Sequence, residues 1–383
     1  MVSGNAHRLK LLYTNFHEGD GGGHTTYVAA LARGLAGRHE VHVAAPSRSR
    51  LHREASGLNG VRALAQTFPN GLRKWPARRA ARRQLAAYLH AHDFDVVHVN
   101  GSADHRLVMV ALHGMRRRPQ IVLTKHNSKP MRGLGHWWRA RRGTDQVIAV
   151  CDYTLRALQA SAYRHCRLDT VHNGVDIDHF APRSLPDGNP ERRRWTGDSP
   201  ALLLGSSAGT AAYKGWMDLV EALPSLPVPA RAQVHVLVAG KPPTTEQVRR
   251  IDALGLARQV HFPGLLDDVR PAIAAIDAGF VLSYDVETIS FACREMMAMG
   301  KPVLVTDYAG LPENIEPGRD GWIVPPRDVA AIAAAVQRML EQRAALPAMG
   351  EAAREHAVRE FGLPRFIALT EAVYLRLLGP DGS

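Results

Sequence analysis

The amino-acid sequence predicts two α/β domains, each built on a doubly wound parallel β-sheet. Short apolar runs alternate with helix-length amphipathic segments along the whole of the 383-residue chain, as expected where crossover helices join parallel strands. Several runs are apolar at consecutive positions, which is typical of strands covered on both faces. The length also exceeds that of one ordinary domain, which holds about 100–200 residues.

The predicted strands form two sets of five. No two-residue hairpin signal joins neighbouring runs, so parallel pairing through helices is expected. The first set is Leu9–Tyr13, Val41–Ala45, Val96–Val99, Ile121–Thr124 and Val147–Val150. The second set is Ala201–Leu204, Val234–Ala239, Val260–Phe262, Gly279–Ser283 and Val303–Thr306.

A polar segment rich in Pro, Asp, Gly and Arg, residues 182–200, separates the two sets. We expect the first domain at residues 1–173 and the second at residues 174–362. The tail, residues 363–383, is a helix-length segment whose apolar side chains need a surface to cover. Because open parallel sheets bind ligands beyond the carboxyl ends of their strands, the residues that follow each run are the functional candidates.

The chain is basic, and its charge is unevenly distributed. It has 48 Lys and Arg against 36 Asp and Glu, a formal net charge of +12. Residues 1–172 hold 27 basic and 10 acidic side chains, a net charge of +17, and the rest of the chain has a net charge of −5. A basic half of this kind indicates contact with nucleic acid, an anionic membrane or an acidic substrate.

Composition excludes several classes of protein. With 22% charged and 45% hydrophobic residues, the chain is neither disordered nor fibrous. No apolar run reaches the roughly 18 residues of a membrane-spanning helix, and the polar residues 1–7 do not resemble a signal peptide, so a cytoplasmic protein is expected. Three widely spaced cysteines, Cys151, Cys166 and Cys293, form neither a disulfide framework nor a zinc motif.

A glycine-rich segment, residues 19–26, follows the first predicted strand and opens a helix at about Thr25. Gly22 and Gly23 would let backbone N–H groups approach an anion at the helix N-terminus. The segment is not the dinucleotide fingerprint, because its third glycine position is His24. A flexible turn is the alternative interpretation.

Two glutamates, Glu287 and Glu295, lie eight residues apart around a predicted helix start. If Thr288, Ile289 and Ser290 form the helix N-terminus, their N–H groups would face an anion. Carboxylates on either side would accept hydroxyl groups, a combination that suits a sugar nucleotide. Two glutamates by themselves are more often solvated or capping residues.

These residues resemble a known family. The segment Glu287-Thr-Ile-Ser-Phe-Ala-Cys-Arg-Glu295 is similar to the E-x7-E motif of retaining glycosyltransferases of the GT-B fold, family 4 in particular. The resemblance continues in order through Asn173-Gly174-Val175-Asp176, Tyr213-Lys214-Gly215, Gly310-Leu-Pro-Glu313 and Gly321-Trp-Ile-Val-Pro325. It implies two facing Rossmann-like domains with a cleft between them, the first for the acceptor and the second for the donor, with the terminal helix crossing back to the first.

The resemblance also implies roles for individual residues. Glu287 would contact donor-sugar hydroxyls and Glu295 the ribose, while Thr288, Ile289 and Ser290 would bind the diphosphate and sugar through backbone groups. Catalytic contributions would come from His126, beside the transferring sugar, from Glu287, and from Lys214, a cation at the diphosphate. The arginine that relatives carry shortly before this lysine is absent, so that we expect Gly209, Thr210 and Lys241 to complete the diphosphate site.

Basic residues of the first half define a candidate acceptor and membrane surface. Four arginines, Arg78, Arg79, Arg82 and Arg83, fall on one stripe of a predicted helix. Further along, Trp137, Trp138 and Arg139 belong to a segment that interleaves indoles with guanidiniums, a combination suited to a membrane interface. A solvated basic face with the tryptophans in the core is the alternative. Nucleic acid is not expected, since no binding motif accompanies the charges.

The predicted function is transfer of a sugar from a nucleotide diphosphate donor, a UDP-sugar first, to a hydroxyl of an anionic membrane-attached acceptor, with net retention. A growing lipopolysaccharide core or a lipid-linked glycan would be such an acceptor, at the inner face of the cytoplasmic membrane. We expect no metal and no cofactor, because no Asp-x-Asp cluster follows a strand. A small soluble acceptor and a sugar-nucleotide epimerase are the alternatives.

A serine hydrolase is a further alternative. The segment Gly205-Ser-Ser207-Ala-Gly209 follows a strand and fits the G-x-S-x-G nucleophile elbow. His261 and His356 are the downstream histidines that could serve Ser207. One lies in a short predicted strand and the other in a helix.

Overall fold

A computed structural model describes residues 8–19, 21–71, 74–182 and 190–379. Four regions named in the sequence predictions fall outside these residues: the polar start, Asp20, residues 183–189 of the polar segment and the last four residues of the tail. The chain folds into two compact units. The first contains the chain up to Gly174 and again from Leu363, and the second is Val175–Gly362.

The first unit contains a seven-stranded parallel sheet. Its strands are paired in the order β3-β2-β1-β4-β5-β6-β7, and the chain order changes direction at β1, so that the residues after β1 and β4 lie at a switch point where α/β proteins bind ligands. The strands are β1 Lys10–Thr14, β2 Glu40–Ala45, β3 Val61–Ala65, β4 Val96–Val99, β5 Gln120–Lys125, β6 Gln146–Ala149 and β7 Arg167–Thr170.

Among the described residues, seven α-helices cover the first sheet. They are α1 Gly23–Leu35, α2 Arg50–Ser56, α3 Trp75–His92, α4 Ser102–Ala111, α5 Leu134–Arg142, α6 Asp152–Gln159 and, from the end of the chain, α15 Leu363–Leu378. The last helix packs on α1, where a Cβ at Gly34 would clash with Ile367. Inside this unit Tyr374 Oη lies 2.6 Å from His98 Nδ1. The apolar face that the tail needed to cover is therefore buried on the first unit.

The second unit contains a six-stranded parallel sheet in the order β10-β9-β8-β11-β12-β13. Its strands are β8 Leu202–Ser206, β9 Val234–Ala239, β10 Val260–Gly264, β11 Ala278–Val281, β12 Val303–Thr306 and β13 Gly321–Val324. Its helices are α7 Pro190–Thr196, α8 Trp216–Ala222, α9 Val228–Arg231, α10 Thr245–Ala253, α11 Arg270–Ala275, α12 Phe291–Ala298, α13 Val329–Glu341 and α14 Leu346–Phe361. Central strands β8 and β11 are buried at every position, as their continuous apolar sequence predicted.

Three strands were missed by the sequence prediction. All three, β3, β7 and β13, lie at sheet edges. An edge strand is covered less completely, and the sequences VRALA of β3 and RLDT of β7 are correspondingly polar and mostly half-exposed. Apolar periodicity is a weak signal for strands of this kind. None of the described helices combines the length and the apolarity needed to cross a bilayer.

Candidate functional site

The carboxyl edge of the second sheet brings two predicted site residues into contact. Lys214 ends a 3-10 turn, Ala212–Lys214, after β8, and Glu287 lies in the loop between β11 and α12. Lys214 Nζ is 2.6 Å from Glu287 Oε2, and the side chains are only 17% and 12% exposed. Because both side chains are largely shielded from solvent, salt and water screen this pair less than they screen an exposed ion pair.

Glycine at position 215 permits this contact. Gly215 has a φ of +68°, and a Cβ there would clash with the carbonyl oxygen of Leu282, so a larger residue would push the two loops apart. Beside it, the backbone N–H of Tyr284 donates to the carbonyl of Tyr213 at 3.0 Å. The turn after β8 is thus held against the loop after β11.

The helix after this loop begins later than predicted. Thr288, Ile289 and Ser290 were expected to form its N-terminus, but α12 begins at Phe291 with Ser290 as its cap. The cause is the backbone of Ser290, whose φ of +49° is incompatible with a right-handed helix. Thr288 and Ile289 therefore lie in the preceding loop.

This loop has strained backbone conformations and is held by hydrogen bonds from buried side chains. Val286 also has a positive φ, +54°, and non-glycine residues in that region cost of order 1–3 kcal/mol each. Asn314 Nδ2 donates to the carbonyl of Ile289 at 2.9 Å, and the fully buried Arg294 donates its Nε to Asn314 Oδ1 at 2.8 Å. The sequence prediction missed Arg294 and Asn314 as positioning residues, although Arg294 lies inside the E-x7-E segment.

The second glutamate of the motif differs from the first. Glu295 is the fifth residue of α12, and burial raises its pKa to about 7. A carboxyl group in this environment is uncharged in a large fraction of molecules near neutral pH. It can therefore donate a hydrogen bond as well as accept one.

The loops after β8 and β9 meet near the same edge. Thr210 Oγ1 donates to the carbonyl of Lys241 at 2.7 Å, and a Cβ at Gly240 would lie 2.8 Å from the backbone nitrogen of Thr210. Gly209 has a φ of +94°, which the turn requires. The Lys241 side chain is exposed. Both loops extend from the carboxyl ends of adjacent strands, β8 and β9.

One cation at this edge was not predicted. Arg327 lies three residues beyond β13, and its guanidinium is 4.1 Å from the centre of the Tyr284 ring. The backbone N–H of Tyr284 donates to the carbonyl of Tyr213, in the turn that ends at Lys214. Because β13 was not recognised as a strand, the rule that points to residues after strand ends was not applied to Arg327.

In the first unit, His126 directly follows β5. Its Nε2 is 2.8 Å from Oδ1 of Asn100, which follows β4, and its ring centre is 4.2 Å from that of His24. Burial, and then the neighbouring His24, lower the pKa of His126 well below its usual value. The imidazole is therefore neutral at physiological pH and can accept a hydrogen bond at one ring nitrogen while it donates from the other.

The glycine-rich segment forms the start of α1 near these histidines. The helix begins at Gly23, two residues before the predicted start, and its cap is Gly22. The Gly22 carbonyl accepts from Thr25 and Thr26 at 2.9 and 3.2 Å. Neither glycine carries a side chain, which leaves the helix N-terminus open to an anion.

His126 lines a pocket, and this pocket adjoins a larger groove that is lined by arginines. The pocket has a volume of about 340 Å³, and its walls include Lys125, Arg139 and Arg106. Arg106 also lines the groove, of about 810 Å³, together with all four predicted arginines of α3, which are Arg78, Arg79, Arg82 and Arg83. No acidic side chain is among the described residues that line the groove. Burial, followed by the charges of Arg139 and Arg78, lowers the pKa of Arg106, and the charge of Asp104 opposes this shift.

The tryptophans of α5 are on the surface, and the arginine beside them is not. Trp137 and Trp138 are 50% and 46% exposed, so the alternative that placed them in the core is wrong. Trp138 lines the groove, and Arg141 lies over the Trp137 ring at 5.2 Å. Arg139 was expected at the same surface but is only 4% exposed, because its side chain lines the His126 pocket together with the buried Tyr163.

Comparisons with known families identify both units. The model described as Glycosyltransferase Family 4 matches residues 21–179, and the model described as Glycosyl transferases group 1 matches residues 201–342. Each of the two units therefore matches a glycosyltransferase domain model.

Mycobacterial mannosyltransferases are among the relatives of these glycosyltransferase domains. A GDP-mannose-dependent alpha-(1-6)-phosphatidylinositol monomannoside mannosyltransferase of Mycobacterium tuberculosis is 32% identical over 223 residues, which cover 56% of this chain and 57% of that relative. The match therefore spans little more than half of the relative's length. A protein of the same name from Mycolicibacterium smegmatis is 29% identical over 366 residues, which cover 91% of this chain and 93% of the relative.

Solved structures share the fold of both glycosyltransferase domains. A glycosyltransferase from Rickettsia africae superposes with a TM-score of 0.84 at 18% identity and covers 98% of this chain and 100% of that one. The two parallel sheets of seven and six strands match GT-B glycosyltransferase structures. The predicted fold class is confirmed.

The serine hydrolase alternative fails on geometry. Ser207 does follow β8, but its Oγ has no hydrogen-bond partner among the described residues. His261 Nε2 instead lies 2.9 Å from His235 Nδ1, and His356 Nδ1 lies 2.6 Å from Asp320 Oδ2. Neither histidine therefore forms a hydrogen bond with Ser207 Oγ, the contact through which a base activates a nucleophile of this class.

Proposed function

We propose that this chain transfers a sugar from a nucleotide diphosphate sugar to a hydroxyl group of an anionic, membrane-attached acceptor, with net retention at the anomeric carbon. The observation that carries the proposal is the 2.6 Å contact between Lys214 and Glu287. It places a cation and a carboxylate together at the carboxyl edge of a parallel sheet, where such sheets bind nucleotides.

In the proposed reaction the bond between the anomeric carbon and the diphosphate oxygen breaks, and a bond to the acceptor oxygen forms. The acceptor hydroxyl loses its proton, and the nucleotide diphosphate leaves. Lys214 stabilises the negative charge that grows on the leaving oxygen, which is the largest contribution that a fixed cation can make. Glu287 accepts hydrogen bonds from hydroxyl groups of the sugar. Its ion pair keeps Lys214 in place before the donor binds.

The remaining predicted donor residues complete this site. Glu295 binds the ribose hydroxyl groups, since a partly buried carboxyl needs hydrogen-bonding partners. Backbone groups of Thr288, Ile289 and Ser290 and of the Gly209–Thr210 turn bind phosphate and sugar oxygens. Lys241 supplies the second cation in place of the arginine that relatives carry. No metal is needed in this proposal, because two cations neutralise the diphosphate.

The donor we propose first is GDP-mannose. The sequence alone favoured a UDP-sugar, but the relatives from both mycobacterial species carry GDP-mannose in their names. Both donors present the same diphosphate to Lys214. They differ in the base and in the sugar hydroxyl pattern, so the choice between them is open to direct measurement.

The acceptor we propose is an anionic glycolipid reached through the first domain. Its pocket at His126 continues into a groove with five arginines, a charge pattern that suits phosphorylated head groups. Exposed Trp75, Trp137 and Trp138 beside these arginines suit a membrane interface. Lipids of the phosphatidylinositol mannoside type come first because of the relatives' names, and a lipopolysaccharide core comes second. The protein would bind peripherally at the inner face of the cytoplasmic membrane.

A donor screen followed by product analysis tests the proposal. GDP-mannose should raise the melting temperature more than UDP-, ADP- and CMP-sugars, because a ligand that binds only the folded state stabilises it. Incubation with the best donor and an anionic lipid extract should then give a glycosylated lipid with a retained anomeric configuration. Product formed without lipid would favour a soluble acceptor, and an isomerised sugar nucleotide would favour an epimerase. A chain that none of the sugar nucleotides stabilises would contradict the proposal.

A further inference from the structure

A second cluster of reactive side chains lies in the first unit, apart from the His126 pocket. Glu40 and His42 are two residues apart on β2, so their side chains share one face of the sheet. His92 is the last residue of α3. One ligand atom from each of the three residues lies within 4.8 Å of the others. Within the described part of the chain, this is the one group of three or more His, Cys, Asp or Glu side chains that could converge on a metal ion.

The distances within the cluster are close to those of a tetrahedral metal site. Zinc lies about 2.0–2.1 Å from nitrogen and oxygen ligands, which sets neighbouring ligand atoms about 3.4 Å apart. His42 Nε2 and Glu40 Oε1 are already 3.0 Å apart. An approach of His92 by at most about 1.4 Å would complete a three-ligand set. A rotamer change at the end of a helix can supply that movement.

The partner of His42 on its other ring nitrogen matches the surroundings of metal-binding histidines. Tyr88 Oη lies 2.7 Å from His42 Nδ1. With a metal on Nε2, Nδ1 carries the proton and donates it to this hydroxyl oxygen, an arrangement that fixes the tautomer and the ring orientation. The rings of Tyr88 and Phe94 enclose the imidazoles, at 4.4 Å from His92 and 4.9 Å from His42. His42 is fully buried, so its imidazole is held in this orientation by the surrounding rings and by Tyr88.

The cluster is open to solvent on one side. The Glu40 side chain is 29% exposed, and His92 is partly exposed, which gives an ion a path to the site. Two cations lie close by. Arg62 Nη1 is 3.6 Å from Glu40 Oε1, and its side chain is 64% exposed, so it can turn away into water. Lys10 Nζ donates to the backbone carbonyl of His92 at 3.3 Å, and this bond does not involve the imidazole nitrogens of His92.

We propose that Glu40, His42 and His92 bind a divalent transition-metal ion, Zn²⁺ in the first place, with water in the fourth position of the tetrahedron. Two imidazoles and one carboxylate suit zinc better than Mg²⁺ or Ca²⁺, which prefer oxygen ligands. Glu40 is the first residue of β2, whereas His126 follows the last residue of β5. The metal site therefore lies at the amino ends of the parallel strands, and the proposed acceptor pocket lies at their carboxyl ends. Bound metal would fix the end of α3, the helix that carries the four groove arginines, to the sheet.

Metal titration of the full chain tests this site. After treatment with a chelator, the protein is titrated with Zn²⁺ by calorimetry and with Co²⁺ by absorption spectroscopy, which reports tetrahedral coordination. One ion should bind per chain. The variants His92→Gln and Glu40→Gln should each weaken binding at least about tenfold, and Tyr88→Phe about 10–100-fold, the range seen when an outer partner of a metal ligand is removed. His90→Gln is the matched control, since His90 is exposed on the same helix, outside the cluster.

A second measurement, the melting temperature with and without Zn²⁺, distinguishes loss of the metal site from misfolding of a variant. Zn²⁺ should raise the melting temperature of the unmodified chain and of His90→Gln, and should do so far less for the partly exposed Glu40→Gln, which leaves the buried His42 in place. Equal Zn²⁺ affinity in His92→Gln, Glu40→Gln and the unmodified chain would overturn the proposal. Weak binding of several ions without a tetrahedral Co²⁺ spectrum would overturn it as well, because 19 histidines can bind metal adventitiously.

Discussion

Replacement of Lys214 by methionine should abolish most of the transfer activity through loss of a single charge. Methionine keeps the length of the side chain but cannot stabilise the leaving diphosphate. Removal of one fixed group that stabilises developing charge costs about 2.7–4 kcal/mol, or a factor of about 10²–10³ in kcat. We therefore expect kcat for transfer from the best donor to fall by that factor, measured as product formed under saturating donor.

The same change should also lower stability, and the structure gives its size. Glu287 is only 12% exposed, and Lys214→Met leaves its carboxylate without the cation, at a cost of about 1–3 kcal/mol. The surrounding unit runs from Val175 to Gly362. For a unit of that size a loss of about 2 kcal/mol lowers the melting temperature by roughly 4–8 °C. Circular dichroism during heating measures this shift.

Two further variants separate chemistry from stability. In Lys214→Met/Glu287→Gln both charges are gone, so that most of the melting temperature should return while activity stays low. Lys301→Met is the structural control: Lys301 Nζ donates to the carbonyls of Ala274 and Ile276 at 3.1 and 2.7 Å, and its loss should lower stability without a comparable loss of kcat. A folded Lys214→Met protein with kcat within about threefold of the unmodified enzyme would refute the catalytic role. Recovery of activity together with stability in the double variant would refute it too.

Three other predictions concern the donor site, pH and the groove. Lys241→Ala should raise the donor dissociation constant about tenfold in calorimetry, since one exposed charge-assisted contact contributes about 1.5 kcal/mol or more; an unchanged constant would reject Lys241 as the second cation. Burial raises the folded-state pKa of Glu295 to about 7, above its usual 4.5. The folded protein therefore binds this proton more tightly than the unfolded chain does. The free energy of unfolding should fall by up to about 3 kcal/mol as pH rises from 4.5 to 7. Glu295→Gln should remove that loss and melt higher than the unmodified protein at pH 8, with similar melting temperatures at pH 4.5; a parallel pH profile for both would contradict it. Arg79→Glu/Arg82→Glu should reduce binding to anionic vesicles at low salt several-fold, whereas Arg249→Glu, an exposed arginine of the second domain, should not.

Several parts of the candidate site could be predicted from sequence because they are local patterns. The predicted strand Ile121–Thr124 and the polar residues after it placed His126 just beyond a strand end. The spacing of the α3 arginines at 78, 79, 82 and 83 placed them on one stripe, and all four line one groove. By contrast, the start of α12 was predicted one turn early, because the positive φ of Ser290 is imposed by the loop that Asn314 and Arg294 support.

The sequence by itself determined the two-sheet architecture and its central strands. Those strands are buried on both faces, and this burial requires uninterrupted apolar residues that can be read directly. Edge strands such as β3 and β7 are half exposed and have no such requirement. Their position was therefore decided only by pairing with a neighbouring strand.

Contacts between distant residues were decided by the tertiary structure alone. Lys214 and Glu287 are 73 residues apart, and their ion pair exists because β8 and β11 are neighbours in the sheet although β9 and β10 separate them in sequence. The same holds for Glu40 and His92, and for the burial of Arg139 beside the exposed Trp137 and Trp138. Periodicity tells which face of an element is apolar, but the neighbour that a polar side chain meets depends on how the elements pack.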